Sequence, residues 1–504
     1  MSEEPRRGPL RAEAALALGL LLPALLLAAN MWHVRGFTVD DSYISYRYAR
    51  NLARGWGLVY NEGERVEGYT NFLWTVWLAG GIRLGIHPDV LAKLTGAAAA
   101  FGSLGVTYAI AGRLLPYRTL PCTATWLLAT SVVFSGYAVF GLETSSFVFL
   151  VLAGTHRFLC ETAAASADRG WRPIPWSGLV FALAGLTRPE APMFIGILAL
   201  FLGRRIVGRQ NLLRGALFVV PVGAHLLFRR AYYGAWLPNT LAAKTGDLHA
   251  QVHAGWGYLQ GYAAHAGPVL LLALAGLWLA VTGARRDLLA LATIAFAMAA
   301  YVVVVGGDWM KYYRFLSPFE PFCFLLVDVG ARRLVERRRA AITVALAAFA
   351  VVVLTWRRGA LREAQADLLQ NEKRFWDRAA GGTARWLNEN GERGELAIGD
   401  IGYVGWATDY PILDTLGLVD PEISKLPGGY ARKIGPRFAD RFFARQPRYV
   451  RLISSGGDCQ HPATARSRLL YEDPRFPVRY EVSGQVPLDG GFRWCIYQKK
   501  PAAL

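Results

Sequence analysis

Residues 12–31 read AEAALALGLLLPALLLAANM, and this stretch decides the class of fold. About 20 mostly apolar residues in a helix cross the hydrocarbon core of a bilayer, because a helix satisfies its own backbone hydrogen bonds there. Arg6, Arg7 and Arg11 precede the stretch, and it lacks a small-residue cleavage site at its end. We therefore interpret it as an uncleaved membrane anchor with its N-terminus in the cytoplasm, the side on which basic flanks stay.

Further apolar runs predict a polytopic α-helical membrane protein with about 11 transmembrane helices. These runs lie near residues 90–112, 120–139, 143–160, 174–187, 190–203, 213–229, 267–283, 287–305, 315–330 and 339–356. Arginine groups at 204–214, 285–286 and 332–339 all fall on one side of the predicted membrane, which we assign to the cytoplasm. Residues 71–86 are also apolar, but a crossing there would move those arginines outside, so we predict an interfacial helix.

The composition agrees with a membrane protein. Hydrophobic residues make up 53% of the 504 residues and charged residues 18%, whereas soluble domains carry about a quarter of charged residues. A disordered chain is excluded, and five cysteines are too few for a disulfide scaffold. The net charge of +18 would suit nucleic acid, but the basic residues lie between apolar runs, so we expect no nucleic-acid partner.

The composition changes after Trp356, which predicts two domains. Residues 1–356 would form the transmembrane domain, with a first outer loop at 32–89. Residues 357–504 would form an extracytoplasmic α/β domain, because an odd number of spans places them outside.

Within that outer domain we expect a helix from Asn371 to Asn390, interrupted at Gly381-Gly382. Short strands are expected near residues 396–399, 412–413, 449–453, 478–482 and 492–498. Cys459 and Cys495 both fall in this domain, and disulfides persist in oxidising compartments. We predict that they pair, with Cα atoms within about 7 Å of each other.

The first outer loop carries two adjacent carboxylates, Asp40 and Asp41. Neighbouring carboxylates repel each other, so the pKa of one should rise, and such a carboxylate can act as a general base toward a sugar hydroxyl. The alternatives are a solvated pair in a loop or a helix N-cap.

Four later outer turns bring further polar groups to the same predicted face. Glu143 begins a span, where it would join a site or simply suit the helix dipole. Arg188 would hold a phosphate or form an ion pair that only fixes two helices. Lys244 would attract a lipid phosphate or extend to the membrane interface. The fifth turn, residues 306–314, combines a carboxylate, cations and aromatic rings between two spans.

Together these turns suit a lipid-phosphate donor at the outer interface. Cations stabilise a phosphate leaving group as the glycosidic C–O bond breaks, and a carboxylate deprotonates the acceptor hydroxyl. The sequence has no Gly-Lys-Ser/Thr phosphate loop, and nucleotide sugars are not expected outside the cytoplasm.

The same residues carry a resemblance to a known family. The chain resembles membrane glycosyltransferases of the GT-C superfamily that use polyprenyl-phosphosugars, and within it the terminal β-(1→2) arabinofuranosyltransferases. The matching stretches are DDSYISYRYA at 40–49, GERVEGYTNFLW at 63–74, GLET at 141–144, RPE at 188–190, LPNT at 237–240, GGD at 306–308 with RF at 314–315, GDIGY at 399–403 and DTLGL at 414–418. The adjacent Asp pair differs from the spaced Asp-x-Asp of oligosaccharyltransferases, which disfavours protein N-glycosylation.

The resemblance implies roles for individual residues. A catalytic carboxylate would be Asp40 or Asp41, with Glu143 as a second acidic position. The donor phosphate would be bound by Arg188, Lys244 and Arg314. We expect further substrate contacts from Tyr43, Asn71, Glu190, Asn239, Asp308 and Tyr312.

The expected activity is transfer of arabinofuranose or a similar sugar from a polyprenyl-phosphate donor to a cell-envelope glycan or glycolipid acceptor. The expected place is the outer face of a bacterial inner membrane. A lipid-linked sugar transporter or flippase and a non-catalytic envelope-assembly scaffold are the alternatives. No cofactor is certain, and a divalent metal stays open because some superfamily members use one, although His249 and His253 have no evident third ligand.

Overall fold

The computed structural model describes residues 12–115, 121–167, 174–267, 269–336, 340–429 and 433–501. Its longer helices are Ala12–Val34 (with a π-helical turn at Ala17–Leu21), Asp40–Ala53, Phe72–Arg83, Pro88–Leu114, Thr144–Ala167, Ser177–Thr187, Ala191–Leu200, Arg209–Tyr233, Leu248–Ala266, Val269–Thr282, Arg286–Val305, Phe319–Glu336, Ala340–Asp367, Lys373–Asn390 and Pro436–Arg445. Shorter helices are Thr123–Ala129, Val132–Tyr137, Asn239–Lys244, Gly402–Thr408, Pro421–Ser424, Ala465–Tyr471 and Arg475–Arg479.

Several of these helices can cross a membrane, as expected for a multi-pass membrane protein. Four described helices are long and apolar enough: Ala12–Val34, Pro88–Leu114, Arg209–Tyr233 and Arg286–Val305. Leu248–Ala266 and Val269–Thr282, bent by 97°, make a fifth if the bent pair is counted as one span. The number of about 11 spans and the sidedness of the loops stay predictions.

One predicted span is broken in the structure, and two others are separate helices as predicted. Ser177–Thr187 and Ala191–Leu200 flank residues 188–190, in agreement with the separate runs at 174–187 and 190–203. The run predicted at 120–139 forms two short helices because Ser131 starts a new one, accepting the Phe134 N–H at 3.1 Å. Helix Leu248–Ala266 has no counterpart among the predicted runs, since Gly and His dilute its apolar character.

The chain divides into two compact units. The first comprises Met1–Gly36, Ala92–Ala224 and Val252–Ala366, and the second comprises Phe37–Leu91, His225–Gln251 and Asp367–Leu504. This division departs from the predicted boundary at residue 356, which falls inside the continuous helix Ala340–Asp367. The predicted first outer loop belongs to the second unit because its apolar residues share a buried core with the C-terminal strands; this core includes Tyr48, Tyr60, Leu396, Ile398 and Val404.

The second unit contains one five-stranded mixed sheet. Its strands are β1 (Leu396–Ile398), β2 (Ile412–Asp414), β3 (Tyr449–Ser454), β4 (Tyr480–Pro487) and β5 (Arg493–Lys499), in the order β2-β1-β3-β5-β4. β1 is parallel to β2 and β3, whereas β5 is antiparallel to β3 and β4. Four strands lie within one residue of their predicted bounds, whereas the strand predicted at 478–482 begins at Tyr480, after the helix Arg475–Arg479, and continues to Pro487.

The helix Lys373–Asn390 corrects one expectation, because it continues without a break through Gly381 and Gly382. A Cβ atom at Gly382 would lie 2.7 Å from Cγ1 of Val486 on β4. The glycine therefore serves close packing of the helix on the sheet rather than a kink.

Candidate functional site

The predicted Asp pair opens a helix rather than lying in a loop. Val39 is extended, and the helix Asp40–Ala53, called here the acidic helix, begins directly after it. Both carboxylates lie in its first turn, where the positive end of the helix dipole favours them. Asp40 is only 5% exposed, whereas Asp41 is half-buried.

The Asp40 carboxylate accepts hydrogen bonds from two backbone amides of the helix Gly402–Thr408, called here the domain helix. The Gly402 amide donates at 3.1 Å and the Tyr403 amide at 2.8 Å. Burial raises the pKa of Asp40 to about 7, and the nearby Asp400 and Asp41 charges add to the rise while the Tyr403 N–H opposes it. The predicted rise in pKa is therefore present, but desolvation outweighs the repulsion between the two adjacent carboxylates.

Tyr43 and Asn71 make contacts within the second unit. The Tyr43 ring meets the rings of Tyr46 and Tyr403 edge-on, with centroids 5.3 and 5.0 Å away. The Asn71 amide donates to Ser45 Oγ at 3.0 Å, and its oxygen accepts from Thr75 at 3.1 Å. Asn71 thus joins two helices, and no substrate role for it is needed to explain its burial.

Asn239 joins two segments of the second unit in a similar way. Its amide donates to the carbonyls of Gly417 and Leu418 at 2.8 and 2.9 Å, and its oxygen accepts from Ser424 at 2.8 Å. Lys244 lies half-buried in the last turn of the helix Asn239–Lys244, where a cation suits the helix dipole.

The first unit brings three predicted residues into a buried ion-pair network. Arg188 donates from Nη1 to Glu143 at 2.7 Å and from Nη2 to Glu190 at 2.6 Å. Its Nε also reaches Glu190, at 3.2 Å. Tyr301 makes a further hydrogen bond to Glu190. The ion-pair alternative for Arg188 is therefore the arrangement seen in the structure.

A second buried pair closes the predicted fifth turn. Arg314 donates from Nε to Asp308 at 2.7 Å, and both side chains are almost fully buried. Tyr312 donates from its hydroxyl to the Ala364 carbonyl at 3.0 Å. Tyr312 and Tyr313 both have positive φ, 65° and 55°, which is costly for residues with a Cβ.

The Arg188 network and the Arg314–Asp308 pair both contact one aromatic ring, that of Phe315. The guanidinium carbon of Arg188 lies 5.4 Å from the Phe315 ring centroid and that of Arg314 lies 5.1 Å from it. Five predicted residues therefore form one cluster, called here the charged cluster: Glu143, Arg188, Glu190, Asp308 and Arg314. Lys311 lies on the same turn as Asp308 and Arg314 but is exposed.

The predicted site residues thus fall into two sets. The first unit holds the charged cluster and Tyr312. The second unit holds Asp40, Asp41, Tyr43, Asn71, Asn239 and Lys244.

Some participants were missed from the sequence. Arg47 is 4% exposed and donates to three backbone carbonyls, which are those of Tyr60, Gly405 and Tyr410. Arg451 on β3 pairs with Asp400 at 2.7 Å, in the electrostatic surroundings of Asp40. Arg47 and Asp400 both lie in motif stretches quoted above, which was the available signal; nothing local distinguishes Arg451.

The cysteine prediction agrees with the structure. Cys459 and Cys495 form a disulfide with Cα atoms 5.8 Å apart. Across the described ranges, no group of three or more His, Cys, Asp or Glu side chains is placed to hold a metal ion. His249 and His253 lie on the helix Leu248–Ala266 and gain no third ligand there.

A family model matches the C-terminal part of the second unit. It is described as a domain of unknown function (DUF8728) and covers residues 367–497.

Two curated relatives are both named terminal beta-(1->2)-arabinofuranosyltransferase. The protein from Corynebacterium glutamicum is 31% identical over 344 residues, covering 60% of this chain and 49% of the relative. The protein from Mycobacterium tuberculosis is 29% identical over 270 residues, covering 47% of this chain and 40% of the relative. The matches thus span half or less of each relative's length. They confirm the resemblance inferred from the motifs.

Two solved structures share the fold. ArnT from Cupriavidus metallidurans, bound to undecaprenyl phosphate, matches with a TM-score of 0.59 at 14% identity, covering 96% of this chain and 98% of ArnT. The oligosaccharyltransferase AglB from Archaeoglobus fulgidus, in complex with an inhibitory peptide and a dolichol-phosphate, matches with a TM-score of 0.57 at 13% identity, covering 87% and 69%. These likenesses confirm a GT-C-like helical fold with a small C-terminal sheet domain.

Proposed function

We propose that this protein is a membrane glycosyltransferase that transfers a sugar, arabinofuranose or a close analogue, from a polyprenyl-phosphate donor to a cell-envelope glycan. The observation that carries the proposal is the charged cluster, in which two buried guanidiniums share the Phe315 ring, in a chain with the fold of ArnT. The arabinofuranosyl choice rests on the names of the two curated relatives. The undecaprenyl phosphate bound by ArnT supports the class of donor.

We assign the donor phosphate to Arg314 in preference to Arg188. All three nitrogens of Arg188 donate to Glu143 or Glu190, so this side chain is committed to fixing two helix ends. Arg314 gives its Nε to Asp308, and a guanidinium carries four more N–H donors on its terminal nitrogens. A planar guanidinium matches phosphate oxygens and stabilises the charge that builds on the leaving phosphate.

We assign the general base to Asp41 rather than to Asp40. Both oxygens of Asp40 accept backbone amides, whereas Asp41 is more exposed. In the proposed step the acceptor hydroxyl gives its proton to Asp41 while its oxygen bonds to the sugar anomeric carbon. The glycosidic C–O bond breaks, and its electron pair leaves on the polyprenyl phosphate.

We further propose that the reaction takes place at the outer face of a bacterial inner membrane, with the N-terminus cytoplasmic and the sheet domain extracytoplasmic. The arginine groups between apolar runs support this orientation. The helix Phe72–Arg83 supports it too, because Val76, Trp77 and the following Leu84 are exposed, as expected of a helix lying in the interface.

Purified protein in lipid nanodiscs tests the proposal directly. With a polyprenyl-phosphoryl arabinofuranose donor and an arabinan acceptor, we expect equal amounts of glycosylated acceptor and released polyprenyl phosphate. Asp41→Asn should lower kcat by about 100-fold or more, since general base catalysis contributes about 10² to 10⁴ in rate. Donor binding, followed by lipid retention, should stay near the wild-type level.

The matched control is Asp377→Asn, which removes an exposed carboxylate of the same unit. A second assay uses proteoliposomes, which have two separate compartments. Movement of labelled lipid across their membrane without release of polyprenyl phosphate would favour the flippase alternative. Full transfer by Asp41→Asn would remove Asp41 from the mechanism.

A further inference from the structure

Charged side chains of the acidic helix contact both ends of the domain helix. The sign of each charge is the one that the helix dipole favours at that end. Asp40 accepts the Gly402 and Tyr403 amides at the N-terminus of the domain helix. Arg47 donates from Nη1 to the Gly405 carbonyl at 2.6 Å, and Arg50 donates to the Trp406 carbonyl at 2.8 Å, both toward its C-terminus. Anions at a helix N-terminus and cations at its C-terminus are the favourable pairing with the helix dipole.

The contact between the two helices leaves no room for a side chain at two glycines of the domain helix. A Cβ atom at Gly402 would lie 2.0 Å from the Asp40 carbonyl oxygen, and one at Gly405 would lie 2.0 Å from the Tyr60 hydroxyl. Two glycines of the domain helix therefore allow the acidic helix and its following loop to approach at backbone distance.

Arg47 is a buried cation with several oxygen partners. Besides Gly405, it donates to the carbonyls of Tyr60 and Tyr410 at 2.9 and 2.7 Å, and to the Asn61 side chain at 3.3 Å. Its guanidinium carbon lies 4.3 Å from the Tyr60 ring centroid. A lysine keeps the charge but offers one ammonium, so it cannot serve acceptors spread over this fork.

We propose that Asp40, Arg47 and Arg50 are positioning residues. Their hydrogen bonds, called here the clasp, fix the acidic helix to the domain helix and thereby let the sheet domain set the position of the neighbouring Asp41. This inference rests on the proposed function only for the role of Asp41; the clasp itself is a property of the second unit.

The clasp responds to pH. The Asp40 carboxylate accepts both amides, but burial makes its charge costly. Because burial raises the pKa of Asp40 to about 7, the buried contact favours the protonated carboxyl, so the clasp is most stable below neutrality and weakens as the pH rises through it. The charged and titratable groups around Asp40 are Asp41 and Tyr43 on its own helix, Tyr60 on the following loop, Asp400 and Tyr403 near the domain helix, and Arg451 on β3.

Four variants of the full-length protein test the clasp: Arg47→Lys, Asp40→Asn, Asp41→Asn and, as control, Arg378→Lys in an exposed pair of the same unit. Arg47→Lys should lower kcat by about 10-fold to 100-fold with little change in the donor KM, because small misplacement of a reacting group costs rate rather than binding. Asp40→Asn should keep more than about a tenth of the wild-type rate, since one of its two acceptor bonds survives. It should also remove the loss of protection against hydrogen exchange that we expect for residues 40–53 of the wild type as the pH rises through 7.

Hydrogen exchange of residues 40–53 and 402–408 supplies a readout independent of activity. Exchange should quicken in Arg47→Lys and Asp40→Asn, and stay unchanged in Arg378→Lys. If the wild type transfers no sugar but the exchange pattern holds, the proposed function fails and the clasp stands. If Arg47→Lys exchanges its amide hydrogens as slowly as the wild type and has the wild-type kcat, the proposed clasp is wrong. Complete loss of transfer in Asp40→Asn without faster exchange would also overturn it, because Asp40 would then be catalytic.

Discussion

At the scale of single residues, burial decides what each carboxylate of the second unit does. Asp40 and Asp41 are indistinguishable in the sequence, yet the fold buries one against backbone amides and leaves the other more exposed. Asp414, in the motif stretch at the end of β2, is likewise fully buried and accepts the Leu416 and Val419 amides at 2.8 and 3.0 Å. Such residues organise backbone turns.

The first prediction concerns Asp414 and the pH dependence of stability. Burial raises the pKa of Asp414 from 3.8 to about 6, so the folded protein binds its proton more tightly than the unfolded chain does. Its contribution to stability is then fully present below about pH 4 and is lost as the pH rises to about 6. Asp414→Asn removes this titration, so its Tm relative to wild type should be more favourable at pH 7.5 than at pH 4.5.

Thermal unfolding in detergent at the two pH values measures the difference. Asp377→Asn is the control, since that carboxylate is exposed and its removal should shift Tm equally at both pH values. A Tm difference that moves in the opposite direction would show that Asp414 gains stability by ionising.

At the scale of elements, the turn between the helices Arg286–Val305 and Phe319–Glu336 is the most constrained described segment of the charged cluster. Gly306, Gly307, Tyr312 and Tyr313 all have positive φ. The Arg314–Asp308 pair closes the turn, and Tyr137 donates to the Lys311 carbonyl at 2.6 Å. Left-handed residues with a Cβ persist only where surrounding contacts hold them.

Gly307→Ala tests that constraint. Gly307 has φ of 74°, and a Cβ there would lie 2.7 Å from Cγ of Tyr258, so we expect a loss of about 1–3 kcal/mol in unfolding free energy. Gly80→Ala is the matched control, because nothing lies within 4 Å of its Cβ position in the helix Phe72–Arg83. That variant should be neutral or more stable by up to about 1 kcal/mol. Equal Tm shifts in the two variants would contradict the constraint.

At the scale of the whole molecule, the disulfide reports the compartment of the sheet domain. Cys459 and Cys495 are paired, whereas the described cysteines Cys122, Cys160 and Cys323 form no disulfide. Disulfides form in oxidising compartments outside the cytoplasm. The pair therefore offers a test of the predicted orientation that is independent of activity.

The measurement compares alkylation of the protein in intact cells with and without prior reduction. Reduction should increase the number of labelled cysteines by two. Cys459→Ser with Cys495→Ser should remove that gain and lower the stability of the domain by about 2–5 kcal/mol, the usual cost of losing a native disulfide. Cys323→Ser is the control, since it should leave the gain intact. Labelling of Cys459 and Cys495 in the wild type without prior reduction would place the domain in the cytoplasm.

The sequence by itself determined much of this protein. Apolar runs long enough to cross a bilayer report the membrane helices directly, because lipid leaves the backbone no other partner. Alternating apolar residues bounded by turns located four strands closely and β4 in part, and the motif stretches contain the five residues of the charged cluster.

Only the tertiary structure decided the rest. The break at Ser131, the continuous helix through Gly382 and the union of residues 37–91 with the C-terminal strands depend on which surfaces meet, not on local pattern. The same holds for the different burial of Asp40 and Asp41 and for the raised pKa of Asp40, because a pKa follows from burial and neighbours brought from distant parts of the chain. The periodicity of apolar residues depends only on residues close in sequence. Desolvation and ion pairing depend on residues that the folded chain brings together.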